Sequence, residues 1–149
     1  MRTLSPRLKA PRLPLPLCSS RVPAGFPSPA DDHLEKRLDL NEHLIQHPAA
    51  TFLVFADGGS MTGAGISPGD LLVVDRSLEA VDGDVVVAVL DGEFTVKRLR
   101  LRRGRPLLVP EAKGYEPIQA GEDARFEVWG VVTASVHTFR NGHGPDRAR

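Results

Sequence analysis

Between residues 51 and 139 the chain repeats one pattern: a short run rich in Val, Leu, Phe and Thr, then a turn signal. The runs occupy residues 51–56, 71–75, 85–90, 94–101, 106–109 and 126–139. β-branched and aromatic residues suit a pleated strand, where their side chains pack on a half-buried surface. The turn signals between them are Pro68-Gly69-Asp70, Asp82-Gly83, Asp91-Gly92 and Arg103-Gly104. Asp91-Gly92 separates two runs directly and predicts a tight hairpin. Short strands with close turns and almost no helix make the fold class mainly β, one domain coiled into a barrel or folded as a sandwich.

Upstream the period changes. Asp39-Leu40-Asn41-Glu42 has the spacing of a helix capping box, and Leu40, Leu44 and Ile45 share one apolar face. A short helix is expected there, ending before Pro48. Residues 1–30 show neither period and hold seven of the 13 prolines. Proline fixes φ and lacks an N–H, so this stretch is expected to be extended, without a core of its own. The expected organisation is a flexible arm and charged connector over residues 1–38, a β-rich domain over 39–140 and a disordered tail over 141–149. No internal repeat of 20–50 residues is visible.

Composition narrows the picture. A chain of 149 residues fits one modest domain plus tails. Nineteen bases balance 19 acids, which argues against DNA binding through bulk charge. The first 30 residues carry Arg2, Arg7, Lys9, Arg12 and Arg21 and no acid, so the remainder has 14 bases against 19 acids. Cys18 is the one cysteine, which excludes an intrachain disulfide and a multi-cysteine metal site. The longest apolar run, residues 85–90, is far short of the ~20 residues that span a bilayer. Prolines interrupt residues 1–17, so no signal peptide is expected. A reducing cytoplasm suits this composition.

Three segments offer chemistry. The first is Asp57-Gly58-Gly59-Ser60-Met61-Thr62-Gly63-Ala64-Gly65, which follows a strand. A serine in such a turn can stand exposed with backbone N–H groups aimed at one point, as a nucleophile and its oxyanion hole require. Taken alone, the segment reads more plainly as a polar residue in a glycine-rich turn. The second is the run 94–102. Lys97 shares strand parity with Leu99 and Leu101, while Arg98, Arg100 and Arg102 take the other face. A lysine among apolar neighbours is desolvated, its pKa falls, and it can serve as a base near neutral pH. The plainer alternative is a lysine that snorkels to solvent along its stem. Phe94 and Val96 have the opposite parity to Lys97, so a bulge or twist is expected near it. The third segment is Arg21-Val22-Pro23-Ala24-Gly25-Phe26-Pro27-Ser28-Pro29. Ala24-Gly25 presents almost no side chain to a narrow cleft, though a Pro-rich linker would look the same.

The remaining candidates lack a completing partner. His33, His43, His47, His137 and His143 show no convincing ligand spacing; His43 and His47 are four apart, as in a zinc pair, without a third ligand nearby. Asp31-Asp32, Asp82 with Asp84, and Glu122-Asp123 suit turns and solvated edges. Trp129 and Tyr115 suit packing, since no aromatic–basic interleaving accompanies them.

Taken together, the three segments resemble the UmuD family, relatives of the LexA repressor and of signal peptidases with a Ser–Lys dyad. The resemblance runs from about Arg21 to Arg140. It is carried by Ala24-Gly25-Phe26-Pro27-Ser28-Pro29-Ala30-Asp31, Asp39-Leu40-Asn41, Leu44-Ile45-Gln46-His47-Pro48, Gly59-Ser60-Met61, Gly65-Ile66-Ser67, Gly69-Asp70-Leu71-Leu72-Val73-Val74-Asp75 and Asp91-Gly92-Glu93-Phe94-Thr95-Val96-Lys97. Gly59 stands where many UmuD-like members have Asp, and the Ala-Gly pair stands where some have Cys-Gly.

The resemblance implies a coiled β-sheet domain like that of LexA and the signal peptidases, and a homodimer. It implies Ser60 as nucleophile, Lys97 as general base, and a cut between Ala24 and Gly25 stimulated by the RecA–single-stranded DNA filament. The backbone N–H groups of Ser60 and Met61 are the oxyanion-hole candidates. The shortened dimer would join a Y-family, UmuC-like polymerase subunit in error-prone translesion synthesis during the SOS response. It implies no metal or organic cofactor, no sequence-specific DNA binding and no membrane. Three alternatives carry different consequences: a non-catalytic dimeric polymerase adaptor, a LexA-like repressor without a recognisable DNA-binding domain, and a peptidase acting on other proteins.

Overall fold

The computed structural model describes residues 11–18, 21–26, 36–120 and 125–140. The expectations for residues 1–10 and for the tail 141–149, and the pairs Asp31-Asp32 and Glu122-Asp123, lie outside them, as do His33, His143 and the family segment 27–31. The chain forms two compact units, residues 1–49 and 50–149.

In the first unit, strand β1 (Pro14–Leu17) pairs antiparallel with β2 (Lys36–Asp39). Strands were not expected in either stretch. Pro14 and Pro16 alternate with Leu15 and Leu17, so one side of β1 keeps its N–H donors while the prolines fall on the other. Helix α1 (Leu40–Leu44) follows, with Asp39 as its N-cap. The Asp39 carboxylate accepts the Leu13 N–H at 2.6 Å and the Glu42 N–H at 3.2 Å. Those two bonds, in that order, hold its pKa below the usual carboxylate value. Arg12 pairs with Glu42 at 2.9 Å.

The second unit is a seven-stranded antiparallel sheet in the order β3-β4-β9-β5-β6-β7-β8. Its strands are β3 (Thr51–Phe55), β4 (Leu71–Asp75), β5 (Val85–Leu90), β6 (Glu93–Arg102), β7 (Arg105–Val109), β8 (Ile118–Gln119) and β9 (Phe126–Val136). The β5–β6 hairpin closes from Leu90 to Glu93 around Asp91 and Gly92, whose φ values are +48° and +82°. Positive φ at both central residues is the type I′ geometry that matches strand twist. The β6–β7 hairpin turns on Arg103 and Gly104 in the same way.

Strand β9 joins the two halves of the sheet. It pairs with β4 and with β5, and each pairing has a register shift, one between Val73 and Val74 and one between Val87 and Ala88. A bulge bends the strand that carries it and increases local twist. Gly130 lies in this bend, where a Cβ would come within 2.5 Å of Val74 Cγ1.

Two apolar clusters fill the unit. One gathers Ala56, Met61, Ile66, Leu72, Val74 and Val87, with Val96 against it. The other gathers Val86, Ala88, Leu99, Leu108 and Val131. Neighbouring residues of β5 therefore belong to different clusters, and so do Val96 and Leu99 of β6. Of the bulge or twist expected near Lys97, the bulge is absent: β6 keeps an unbroken register with β5 from Glu93 to Arg98. Apolar residues of both parities occur because both faces are covered.

Candidate active site

Beyond β3 the chain enters its glycine-rich loop from a pinned position. The Ala56 N–H donates to Asp70 O, and the Gly69 N–H donates to Ala56 O, both at 2.8 Å. Asp70 is 2% exposed. Its carboxylate accepts the Ser67 N–H at 2.8 Å and lies 2.5 Å from His137 Nδ1. The Ser67 bond, then His137, holds the Asp70 pKa below the usual carboxylate value. Met61, 3% exposed, inserts into the first cluster. Its carbonyl accepts from Ala64 at 3.0 Å and Ile66 at 3.2 Å, closing the 3-10 turn Thr62–Ala64.

A distant residue completes the loop. The Glu111 N–H donates to Ser60 O at 2.7 Å, and the Gly63 N–H donates to Glu111 O at 2.7 Å. Only glycine permits that approach, since a Cβ on residue 63 would lie 2.5 Å from Glu111 O.

Lys97 comes from β6, directly across from Val86 of β5. It is 8% exposed. Its Nζ donates to Ser60 Oγ at 3.0 Å, to Thr95 Oγ1 at 2.7 Å and to Val96 O at 3.1 Å. Burial holds its pKa below the ordinary value of 10.5. A cleft of about 190 Å³ opens beside the pair, with Val54, Phe55, Ile66, Val87, Phe94 and Val96 among its lining residues. Such walls strip water from the amine and disfavour its charged form, and once deprotonated its lone pair can face the serine hydroxyl. The N–H groups of Ser60 and Met61 donate to no group among the described residues. Unspent donors next to a hydroxyl–amine pair suit an oxygen that gains negative charge.

The structure thus brings Ser60, Met61 and Lys97 to one cleft, from positions 37 residues apart for the serine and lysine. Ala24 and Gly25 occupy a bend in the first unit, both exposed, next to a Phe26 side chain that is 94% exposed. Sequence reasoning passed over Thr95, although it sits two residues from Lys97 on the same strand face. It also passed over Asp70 with His137, and over Glu111, whose link to the loop has no local signal.

The chain matches the Peptidase S24-like family over residues 16–133. It is 48% identical over 126 residues to protein SamA of Salmonella typhimurium, covering 85% of this chain and 87% of that one. It is 50% identical over 125 residues to protein ImpA of Escherichia coli, covering 84% and 85%. Against the LexA repressor of Bordetella pertussis it is 39% identical over 127 residues, covering 85% of this chain and 58% of the repressor.

Proposed function

The chain belongs to the Peptidase S24-like family as a UmuD-type member, and from that membership we propose that it cuts its own arm between Ala24 and Gly25. The observation that carries this reading is the 3.0 Å contact of Lys97 Nζ with Ser60 Oγ inside an apolar cleft. Neutral Lys97 takes the Ser60 hydroxyl proton as Oγ bonds to the Ala24 carbonyl carbon. The Ser60 and Met61 N–H groups receive the carbonyl oxygen as it becomes an oxyanion. The carbon–nitrogen bond breaks, Lys97 returns its proton to the Gly25 amine, and an acyl-enzyme remains. Water then gives a proton to the same lysine as its oxygen bonds to the ester carbon. The bond from that carbon to Oγ breaks, Lys97 returns the proton to Ser60 Oγ, and Ala24 leaves as the new C-terminal carboxyl group. Apart from that water, every reacting group belongs to this chain.

In the cell the substrate is tethered, which replaces a bimolecular encounter with a local one. The RecA–single-stranded DNA filament then acts by raising the fraction of time the arm spends in the cleft. The shortened homodimer serves as accessory subunit to a Y-family polymerase in cytoplasmic SOS mutagenesis.

Intact-mass spectrometry tests the chemistry. Purified protein is incubated alone from neutral to strongly alkaline pH beside Ser60→Ala and Lys97→Ala. A fragment beginning at Gly25 is expected in the parent only, forming faster as pH rises through the lowered Lys97 pKa. A parent that stays uncut, with and without RecA filament, would leave the adaptor reading. A cut that persists in Ser60→Ala would sink the mechanism.

A further inference from the structure

We propose that Arg98 and Glu111 are positioning residues for this cleft: their ion pair ties the strand carrying Lys97 to the loop carrying Ser60 and so aims the Met61 N–H. The proposal rests on the self-cleavage reading and adds to it two residues that touch no reacting atom.

The case begins with the backbone. The Glu111 peptide brackets the loop, taking Ser60 at one end and Gly63 at the other, each at 2.7 Å. A peptide bond is planar and trans, so the Ser60 carbonyl and the Met61 N–H point in opposite directions. Fixing the carbonyl on Glu111 therefore fixes the direction of the N–H offered to the oxyanion. The bracket is closely packed, because even a Cβ on residue 63 would lie 2.5 Å from Glu111 O.

Residue 111 needs its own anchor. The β6–β7 ladder runs from Arg102↔Arg105 to Arg98↔Val109 and stops there, two residues before Glu111. Past that point the Glu111 side chain takes over. Its carboxylate accepts from Arg98 Nε, and Arg98 Nη1 donates onward to Gly83 O at 2.6 Å. The two side chains are 22% and 29% exposed, so solvent screens the pair less than an open surface bridge. Arg98 is also the residue after Lys97. One short segment of β6 thus delivers the amine to the cleft from one face and grips the loop's bracket from the other.

The test uses the full chain and follows first-order self-cleavage by intact mass across pH. Arg98→Ala and Glu111→Ala should each slow cleavage roughly 10- to 100-fold, the range expected for a small misplacement of reacting groups. The pH midpoint should stay where Lys97 sets it. Glu111→Gln keeps an oxygen for Arg98 and should recover most of the rate, and Arg98→Glu with Glu111→Arg should recover part of it. An unchanged rate in the alanine variants overturns the proposal, and so does a midpoint that moves with the rate. Amide hydrogen exchange at Gly63 and Glu111, measured in the uncleavable Ser60→Ala background, reads the tie without chemistry. Faster exchange after Arg98→Ala supports it, and unchanged exchange overturns it. A parent that never cuts would sink the self-cleavage reading while leaving the exchange result to decide the tie.

Discussion

Lys97 and Ser60 reach the same cleft by different kinds of support. Lys97 stands inside a ten-residue strand, in register with β5 up to Arg98, and its neighbours on β6 run on into the ladder with β7. Ser60 stands in a loop that belongs to no ladder. Its position comes from a handful of separate bonds: Ala56 with Gly69 and Asp70, the buried Met61 side chain, and the Glu111 bracket. The strand supplies the environment that sets protonation, and the loop supplies the geometry. Changes to the groups that surround Lys97 Nζ should therefore alter when the site works, and changes to the loop or to the Arg98–Glu111 tie that holds it should alter how well it works.

Lys97→Met separates the two roles most sharply. Self-cleavage should fall by about 10²- to 10⁴-fold at every pH, the usual contribution of a general base. Stability should move the other way. The folded-state pKa of Lys97 lies below its ordinary value of 10.5. Between those values the unfolded chain binds more protons, so the parent's stability rises with pH across that window. Below it the lysine is charged in both states and the cost of burying the charge is fully present. The methionine variant should gain most over the parent below the folded-state pKa and progressively less as pH approaches 10.5. Urea denaturation at several pH values measures this, and a gain independent of pH would show that Lys97 is not destabilised as a cation.

Gly63→Ala strikes the loop instead. The added methyl would meet a backbone carbonyl at 2.5 Å, which cannot rotate away like a side chain. Overpacking of this kind costs about 1–3 kcal/mol, visible as a lower melting temperature. Cleavage should drop by about 100-fold with its pH midpoint unmoved, since the change displaces Ser60 rather than desolvating Lys97. A shifted midpoint would mean that loop and strand are not separable in this way.

The same contrast explains what the sequence disclosed. Strands β4 and β5 fall on residues 71–75 and 85–90 because each is built on a continuous apolar run, 71–74 and 85–90, bounded by polar and turn residues. Asp91-Gly92 and the Asp39 cap were legible because each is a local chemical requirement met by adjacent residues. β8 was not, since it is two residues long and exists only by pairing with β7. The shifts in β9 and the reach of Glu111 to Ser60 were not, because their causes lie on other strands. The strand pattern marks Lys97 as the charge in line with Leu99, and Lys97 is buried, yet of the bulge or twist that the pattern suggests there the bulge is absent. Parity analysis assumed one buried face where the sheet has two. Ser60 and Lys97 each allow a plain reading alone; in the sequence only the ordered family motifs bring them together, and in the fold the 3.0 Å contact does.

Thr95→Val is the finest of these probes and acts wholly on the strand side. Thr95 Oγ1 accepts from Lys97 Nζ at 2.7 Å, beside the 3.0 Å contact to Ser60 and the 3.1 Å contact to Val96 O. Valine keeps the volume and removes the acceptor. The ammonium needs acceptors more than the neutral amine does, so the charged form loses more. The pKa of Lys97 should fall further, and the midpoint of cleavage against pH should move to lower pH. The plateau rate should drop only a few-fold, in line with the ~1 kcal/mol a single hydrogen bond contributes, because Nζ loses one of the contacts that aim it at Ser60. Thr95→Ser keeps the acceptor and should leave the midpoint at the parent value. A valine variant whose midpoint stays put or rises would place the control of Lys97 protonation outside its own strand, and the division between strand and loop would then fail on the side where it is drawn most firmly.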